Sequence, residues 1–396
     1  KYHCTELGRK VSNDAMDVHG GKGICLGPNN YLGRGWIAAP IAITVEGANI
    51  LTRSLIIYGL GAIRCHRFVL RVLAAAGDED IDRGLIEFDD ALFGHIGYAI
   101  SNIARSFFLA LTHAKFSSVP LNTPTRRYYQ NINRYSAAFA LASDFAMLTL
   151  GGDLKKRELL SARLGDVLSS IYLASCVLKH FENQGRRATD LPLVEWSIRT
   201  LMYQAQEALH SFLRNLPNRW AATFLRIFIF PRGRTYSAPS DELVHKVVEL
   251  ATTPGEARER LSQQAYTTNE PGNPVGLLEE ALQLSIELAP LERRLRQAYK
   301  EGLIASEYLG EQIDEAARAE VINKDEAAKL RDYHEKVFSL LAVDDFAPED
   351  LRRTAGGQAD EPAPKPAKKA AKRKQAPRKK VSGQKKVSRK KKSEAE

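Results

Sequence analysis

The sequence predicts an all-α protein. Between Leu160 and Phe181, apolar residues recur at spacings of four and three, which places them on one side of a single helix. Those positions are Leu160, Leu164, Val167, Ile171, Ala174, Leu178 and Phe181. Strand-like alternation of apolar and polar residues is sparse. A composition of 44% apolar and 26% charged residues is typical of a globular protein with a sizeable core.

Residues 1–77 are predicted to form a first helical unit. Residues 1–18 have helical spacing and run into the glycine-rich stretch His19–Gly23. Such an ending stops a helix and exposes backbone N–H groups to a ligand, although a lone GGxG is more often a simple cap and turn. A second helix is predicted from Asn49, with a soft end near Gly59.

Residues 78–350 are predicted to form a helical extension. Asp78–Asp90 is acidic and is interpreted as a connector into a helical unit at 91–115. Besides the helix at 160–181, Asp190-Leu191-Pro192 signals the start of another helix that ends before Pro217. A further amphipathic helix is predicted at 325–343.

The net charge of +10 is concentrated in a C-terminal tail. Residues 361–396 carry a net +12, whereas the preceding residues carry −2. A segment of Ala, Lys, Pro and Ser without aromatic residues cannot bury enough apolar surface to fold, so 351–396 is predicted to be disordered. It offers no platform for base stacking, so any affinity for nucleic acid would be nonspecific and salt-dependent. A solubilising or membrane-attracted tail is the favoured interpretation.

The four cysteines lie far apart and show no spacing typical of zinc sites, so we predict reduced thiols, no disulfide and no metal site. No apolar run reaches the roughly 18 residues of a membrane span. These features favour a cytoplasmic protein, with peripheral attachment at the inner membrane as the alternative.

Glu46 is the candidate catalytic residue. A glutamate in this setting is by itself more often a helix N-terminal residue than a catalyst. Two features favour chemistry. The apolar run Ile41–Val45 is expected to desolvate the carboxylate and raise its pKa towards the range of a general base. Gly47 leaves room for a substrate to pass close to the backbone, so both residues are candidates for substrate binding.

Ordered motifs surround Glu46. A helix ends in GGxG, an apolar run leads into Glu-Gly, and Arg53 follows seven places after the glutamate. The longer motifs are Lys1–Cys4, Asp14–Asp17, His19–Ile24, Ala39–Arg53, Gly61–His66, Arg127–Gln130, Ser161–Asp166, Asp190–Val194, Ala238–Asp241 and Asn273–Leu282. Together they resemble the acyl-CoA dehydrogenase family, and more narrowly the long bacterial members of fatty-acid β-oxidation, up to about residue 350.

The resemblance implies FAD-dependent oxidation of acyl-CoA to trans-2-enoyl-CoA. Glu46 matches the family's base, which removes the α proton while the β hydrogen leaves as hydride to the flavin. The backbone N–H of Glu46 would then donate to the thioester oxygen. Arg53 matches a family arginine, although pairing with a nearby acid would explain it equally well.

The resemblance also suggests residues for FAD binding. Gly20 and Gly21 match the turn that approaches the FAD diphosphate across a subunit interface. Asp17 stands where the family commonly has Gln. Ala48 stands where it often has a flavin-contacting Thr, and Asn49 is a weaker candidate beside it.

The family's N-terminal helices and β-domain have no counterpart in this sequence. We therefore expect a C-terminal part of a longer protein, which alone neither binds FAD tightly nor turns over. By resemblance, its partners are the acyl-CoA substrate, an electron-transferring flavoprotein and further copies of the chain.

Two other functions remain open. Leu216–Arg234 mixes aromatic residues with arginines, a pattern that suits an anionic membrane surface. It also suits an ordinary bundle helix followed by a basic loop. Residues 91–350 could also serve as an assembly module, which is compatible with the dehydrogenase function, because the apolar face of the helix at 160–181 has to pack against this chain or another.

Overall fold

Every regular segment that the structure describes is helical, which confirms the all-α prediction. The computed structural model describes residues 1–27, 29–119, 124–270 and 272–343. The α-helices are α1 (Tyr2–His19), α2 (Gly21–Ile24), α3 (Gly33–Thr44), α4 (Asn49–Leu51), α5 (Gly61–Arg64), α6 (Val69–Ala76), α7 (Ile81–Leu111), α8 (Arg126–Leu150), α9 (Glu158–Asn183), α10 (Leu191–Asn215), α11 (Arg219–Ile229), α12 (Asp241–Thr252), α13 (Glu256–Ser262), α14 (Pro274–Lys300), α15 (Leu309–Arg318) and α16 (Lys324–Leu341). A π turn, Thr52–Ile56, continues α4, and 3-10 turns occupy Gly151–Lys155 and Ala188–Asp190.

The main hydrophobic core lies between α8, α9 and α10. Six of the seven apolar positions predicted on α9 are buried, and the seventh, Ile171, packs against the same core. Helices α9 and α10 share the most extensive contact of any described helix pair. Each fully buried leucine at such a contact contributes about 1.5–3 kcal/mol relative to exposure. The spacing of apolar residues therefore identified the buried face correctly.

The two predicted ends of α10 are also confirmed. Pro192 lies in the first turn, where a missing N–H removes no intrahelical hydrogen bond. The helix ends at Asn215, before Pro217. Short connections on both sides of the helix keep it against α9 and α11.

A second, smaller core joins α14, α15 and α16. Leu288, Leu295, Ile313 and Leu330 are buried there. The helix predicted at 325–343 is α16, and it starts at a capping box in which Asn323 and Glu326 satisfy each other's backbone N–H groups.

The prediction that Asp78–Asp90 forms a connector was wrong. Helix α7 starts at Ile81 and continues for 31 residues, because the Asp80 side chain accepts from the Arg83 N–H at 3.1 Å and caps the helix. The acidic residues after this cap lie on the exposed side of a continuous helix. Arg71 of α6 pairs with Glu87 and Asp90 of α7. The predicted boundary between residues 77 and 78 stays a prediction.

One helix within the described residues is long and apolar enough to cross a membrane. It is α8 together with its 3-10 continuation, Arg126–Lys155. A buried core helix passes the same test, and Tyr135, Leu141 and Ala142 of α8 lie in the main core. The bent pair of α3 with the segment Asn49–Arg64 passes the test only if it is counted as a single span.

Residues 344–396 lie outside the described part of the chain. They include the whole predicted tail, 351–396.

Candidate active site and neighbouring polar clusters

Glu46 lies in a tight loop between α3 and α4. Its backbone has a φ of 54°, and Gly47 follows with a φ of 84°. Left-handed backbone is uncommon for a residue with a side chain and costs on the order of 1–3 kcal/mol, so it persists only where the surroundings enforce it. The loop therefore holds Glu46 in one strained orientation.

The loop is fastened to the start of α1. Lys1 Nζ donates to Gly47 O at 3.0 Å and to Asn49 Oδ1 at 2.7 Å. Asn49 Nδ2 donates to Thr5 Oγ1 and Glu6 Oε1, both at 2.9 Å. Asn49 is 4% exposed, and both of its side-chain polar atoms are occupied. The structure thus gives this candidate FAD contact a different role, that of anchoring the Glu46 loop.

The prediction that the apolar run desolvates Glu46 was wrong for this chain by itself. Glu46 and Gly47 are exposed, and Ala48 is half-buried. The apolar run before them belongs to α3 and the loop, and Ile41 and Val45 are 66% and 48% exposed. Because a helix distributes its side chains around an axis, the run does not fold over the carboxylate. It forms an open apolar face beside it.

The predicted FAD-binding turn joins α1 to α2. Gly20 has a φ of 55° and donates its N–H to Met16 O at 2.9 Å, so it needs the freedom of glycine. A Cβ at Gly20 or Gly21 would meet no described atom within 4 Å. Next to the turn lies a cavity of about 630 Å³, whose lining includes Asp17, Gly20 and Trp36. The open space and the aromatic wall fit part of a dinucleotide.

Three polar side chains reinforce this turn. His19 Nδ1 donates to Ala15 O at 2.8 Å, which leaves Nε2 to accept from the Tyr31 hydroxyl. The Lys22 ammonium lies 5.4 Å from the centre of the Tyr31 ring. Lys22 therefore places an amino group close to the turn, and burial lowers its pKa. The sequence pattern did not single out this lysine.

Arg53 takes part in a two-pronged ion pair. Its Nε and Nη2 atoms donate to Asp166 Oδ1 and Oδ2 at 2.8 and 2.5 Å. Arg53 lies on the π turn and Asp166 on α9, and a Cβ at Gly165 would lie 3.3 Å from Arg53 O. Glycine therefore permits the close approach that forms the pair. Of the two interpretations open from the sequence, the structure shows the pairing with an acid.

The aromatic and basic segment Leu216–Arg234 forms α11 and a following loop. Trp220 is 88% exposed, but Phe230 is 7% exposed. Phe224 stacks on Phe145 at 5.2 Å, and Phe228 contacts Phe107 at 5.4 Å. Trp220 is thus the one fully exposed ring among the four. This arrangement is that of a bundle helix followed by a basic loop, and binding to a membrane stays a prediction.

One polar cluster was missed by the sequence reasoning. Asp144 of α8 accepts from His66 Nε2 at 2.7 Å and from Asn102 Nδ2 of α7 at 3.1 Å, and His95 Nε2 lies 3.9 Å away. These residues are far apart in the sequence and show no ligand-like spacing. The sequence offered one signal, the motif Gly61–His66. This motif resembles the family, but no role had been assigned to it.

The cluster resembles a metal site in composition but not in its hydrogen bonds. Ligand atoms of His66, His95 and Asp144 lie within 4.8 Å of one another. However, His66 Nδ1 accepts the N–H groups of Phe68 and Val69 at 3.2 and 3.1 Å, so the proton resides on Nε2. A metal-binding histidine normally donates from its second ring nitrogen. In this arrangement, Nε2 is a hydrogen-bond donor to Asp144.

Comparison with known proteins identifies a family for most of the chain. The family model described as "Acyl-CoA dehydrogenase, C-terminal, bacterial type" matches residues 63–346. The match begins after Glu46 and after the turn at Gly20. No solved structure matches the chain.

Proposed function

The chain belongs to the acyl-CoA dehydrogenase family, and from this premise we propose that it supplies the catalytic base for the α,β-dehydrogenation of acyl-CoA thioesters. The observation that carries the proposal is the loop of Glu46. A carboxylate is held there in a strained backbone conformation, anchored to α1, at the edge of an open apolar face. Strain of this kind clusters at functional sites.

Glu46 would remove the α proton of the bound thioester. The exposed apolar side chains of Ile41, Val45 and Ile50 offer a surface for an acyl chain. An acyl chain packed there would displace water from the neighbouring carboxylate and bring the α carbon of the substrate within its reach. The Glu46 N–H would donate to the thioester oxygen as negative charge develops on it. Gly47 keeps the backbone accessible to the substrate.

FAD is the cofactor of this proposal. When bound, it accepts the β hydrogen of the substrate as hydride. In this chain the residues that would hold it are Gly20 and Gly21, with their open space and helix-start N–H groups, and Asp17 at the cavity beside them. Ala48 lies in the Glu46 loop and has no polar side chain, so its contribution would be contact through the backbone. Lys22 would place a positive charge near the diphosphate.

The wider physiological context is also part of the proposal. We propose the first oxidation step of fatty-acid β-oxidation, electron-transferring flavoprotein as acceptor of the electrons, and a homo-oligomer in which the turn at Gly20 faces the FAD of a neighbouring copy. A cytoplasmic location is proposed with it.

The experiment is the substitution Glu46→Gln in the complete protein. The amide keeps the shape of the side chain but cannot accept the α proton, so kcat is expected to fall at least 100-fold with flavin content unchanged. The matched control is Glu79→Gln, an exposed carboxylate in the connection between α6 and α7, which should leave kcat unaltered. Dehydrogenation is followed with acyl-CoA and an artificial electron acceptor. Activity of Glu46→Gln above about 1% of wild type would exclude Glu46 as the base.

A further inference from the structure

Asp144 is a buried carboxyl group whose neighbours are one amide and two imidazoles. It is 7% exposed, and its two hydrogen-bond donors are the neutral amide of Asn102 and His66 Nε2. Because His66 Nδ1 accepts two backbone N–H groups, Nε2 is the ring nitrogen that donates to Asp144. No Lys or Arg nitrogen among the described residues lies within 4.0 Å of this carboxylate.

His95, the remaining neighbour of Asp144, does not supply a positive charge at neutral pH. His95 Nε2 lies 3.9 Å from Asp144 Oδ1, which is beyond the distance of a hydrogen bond. Burial, together with the nearby His66, lowers the pKa of His95, so that this ring is neutral at pH 7. Buried charges in proteins are normally paired or bound to an ion. Asp144 is therefore a buried carboxyl group with no Lys or Arg partner among the described residues.

A cavity opens beside this carboxylate. It has a volume of about 460 Å³, within the range of small-molecule sites, and its lining includes Tyr58, Ser143 and Asp144. The rest of the wall is mostly apolar, with Phe139 and Met147 among its residues. The site is independent of the Glu46 loop and of the turn at Gly20, since none of those residues lines it.

Two hydroxyl groups in the cavity wall are available to a ligand. Tyr58 Oη and Ser143 Oγ are buried and, apart from an interaction with each other, have no hydrogen-bond partner in the described part of the chain. Tyr58 is 3% exposed, and burial raises its pKa to about 12, so the phenol keeps its proton. A buried hydroxyl left without a partner costs about 1–3 kcal/mol, which a ligand with a polar head would recover.

From these features we infer that the cavity bounded by Tyr58, Ser143 and Asp144 binds an organic cation with a primary ammonium head and an apolar body. The ammonium would donate to Asp144 and to the two hydroxyl oxygens, and the aliphatic part would pack on Phe139 and Met147. A carboxylate head is disfavoured, because Asp144 would repel it at close range. Arg67 lies at the edge of the same cavity but is exposed. Because solvent screens its positive charge, Arg67 offsets little of the repulsion between Asp144 and a carboxylate head.

The test uses the full chain and three ligands of equal length: n-hexylamine, 1-hexanol and hexanoate. Binding is measured by ligand-detected NMR titration at pH 7.5. The expected order of affinity is hexylamine above hexanol above hexanoate. Hexanoate binding as tightly as hexylamine, or an absence of hexylamine binding, would overturn the inference.

The decisive variant is Tyr58→Phe, compared with Tyr135→Phe. Both tyrosines are buried, but Tyr135 does not line the cavity. Tyr135→Phe removes no hydrogen bond among the described residues, and Tyr58→Phe removes only the interaction with Ser143, so both variants should fold with little change in their unfolding midpoints. Hexylamine affinity should fall about tenfold in Tyr58→Phe and stay the same in Tyr135→Phe. Equal affinities in the two variants would contradict the proposed site.

Asp144→Asn provides a second readout. The amide retains an acceptor for His66 but removes the negative charge, so the preference for hexylamine over hexanol should disappear. A preference retained in a folded Asp144→Asn variant would show that Asp144 does not select the ligand. Circular dichroism of each variant reports whether the helices are intact.

Discussion

At the scale of single residues, the conformation of Glu46 is the feature most closely tied to function. A glutamate with a φ of 54° has a strained backbone. Lys1 Nζ donates to Gly47 O and to Asn49 Oδ1, and these hydrogen bonds hold the residues after Glu46 in place. Such bonds fix the backbone from which the carboxylate projects before any substrate arrives. We attribute to them the preorganisation that proton removal from a weakly acidic carbon requires.

Asn49→Ala should separate orientation from chemistry. The substitution removes the bonds to Lys1, Thr5 and Glu6, so we expect a loss of about 1–3 kcal/mol in the free energy of unfolding. We also expect kcat to fall at least tenfold, with KM changed less, because the base is present but misplaced. Steady-state kinetics and chemical denaturation measure the two effects.

The control for this prediction is Asn215→Ala. Asn215 is exposed and bonds to Ser211 O of its own helix, so both quantities should change little. If Asn49→Ala loses stability but retains wild-type kcat, the anchor is structural and has no part in positioning Glu46.

At the scale of elements, the contact between α9 and α10 stabilises the fold. Leu178 is fully buried in the main core, whereas Leu159 on the same helix is 67% exposed. Leu178→Ala leaves a cavity and should lower the free energy of unfolding by about 2–5 kcal/mol. Leu159→Ala should change it by less than about 0.5 kcal/mol. Urea denaturation of the two variants measures the difference, and similar losses would show that the α9 face is not the core.

The link between α13 and α14 should respond to acid. Arg258 and Glu279 form a two-pronged pair with distances of 2.7 and 2.5 Å. The hydrogen bonds from Arg258 lower the pKa of Glu279, so the pair stabilises the folded state above the ordinary carboxyl pKa of about 4.3. That stability is lost as the pH falls through the lowered pKa, because protonation removes the charge.

Glu279→Gln should therefore weaken the acid dependence of stability below about pH 4.3 and leave its slope at pH 7 unchanged. Thermal unfolding midpoints across this range measure the effect. Glu242→Gln, at an exposed i,i+4 pair on α12, is the control and should have a smaller influence. An identical acid profile in wild type and Glu279→Gln would contradict the role of the pair.

At the scale of the whole molecule, sequence reasoning worked where the relevant signal is local. The spacing from Leu160 to Phe181 identified the buried face of α9, and Pro192 marked the start of α10. The start of α7 was missed because acidic residues were interpreted as a connector, whereas Asp80 is a cap. Local patterns therefore predicted several helices, but they missed others, such as α8 and α14, and not every boundary was correct.

Sites assembled from distant segments were harder to predict. His66, His95 and Asp144 are brought together only when α7 and α8 pack, and no spacing rule connects them. The environment of Glu46 was also misjudged, because apolar neighbours in sequence do not become a cover when they lie on a helix. The candidate base itself was found through a resemblance to a family. The match to residues 63–346 confirms that family for the chain but does not reach Glu46, whose role stays a prediction.

The central claim is that Glu46 removes the α proton, and one single-turnover measurement tests it directly. The complete protein, wild type or Glu46→Gln and loaded with FAD, is mixed anaerobically with acyl-CoA while the flavin absorbance is recorded. The account predicts rapid bleaching in wild type and, in Glu46→Gln, bleaching at least 100-fold slower despite bound substrate. Bleaching of Glu46→Gln at the wild-type rate would contradict the account.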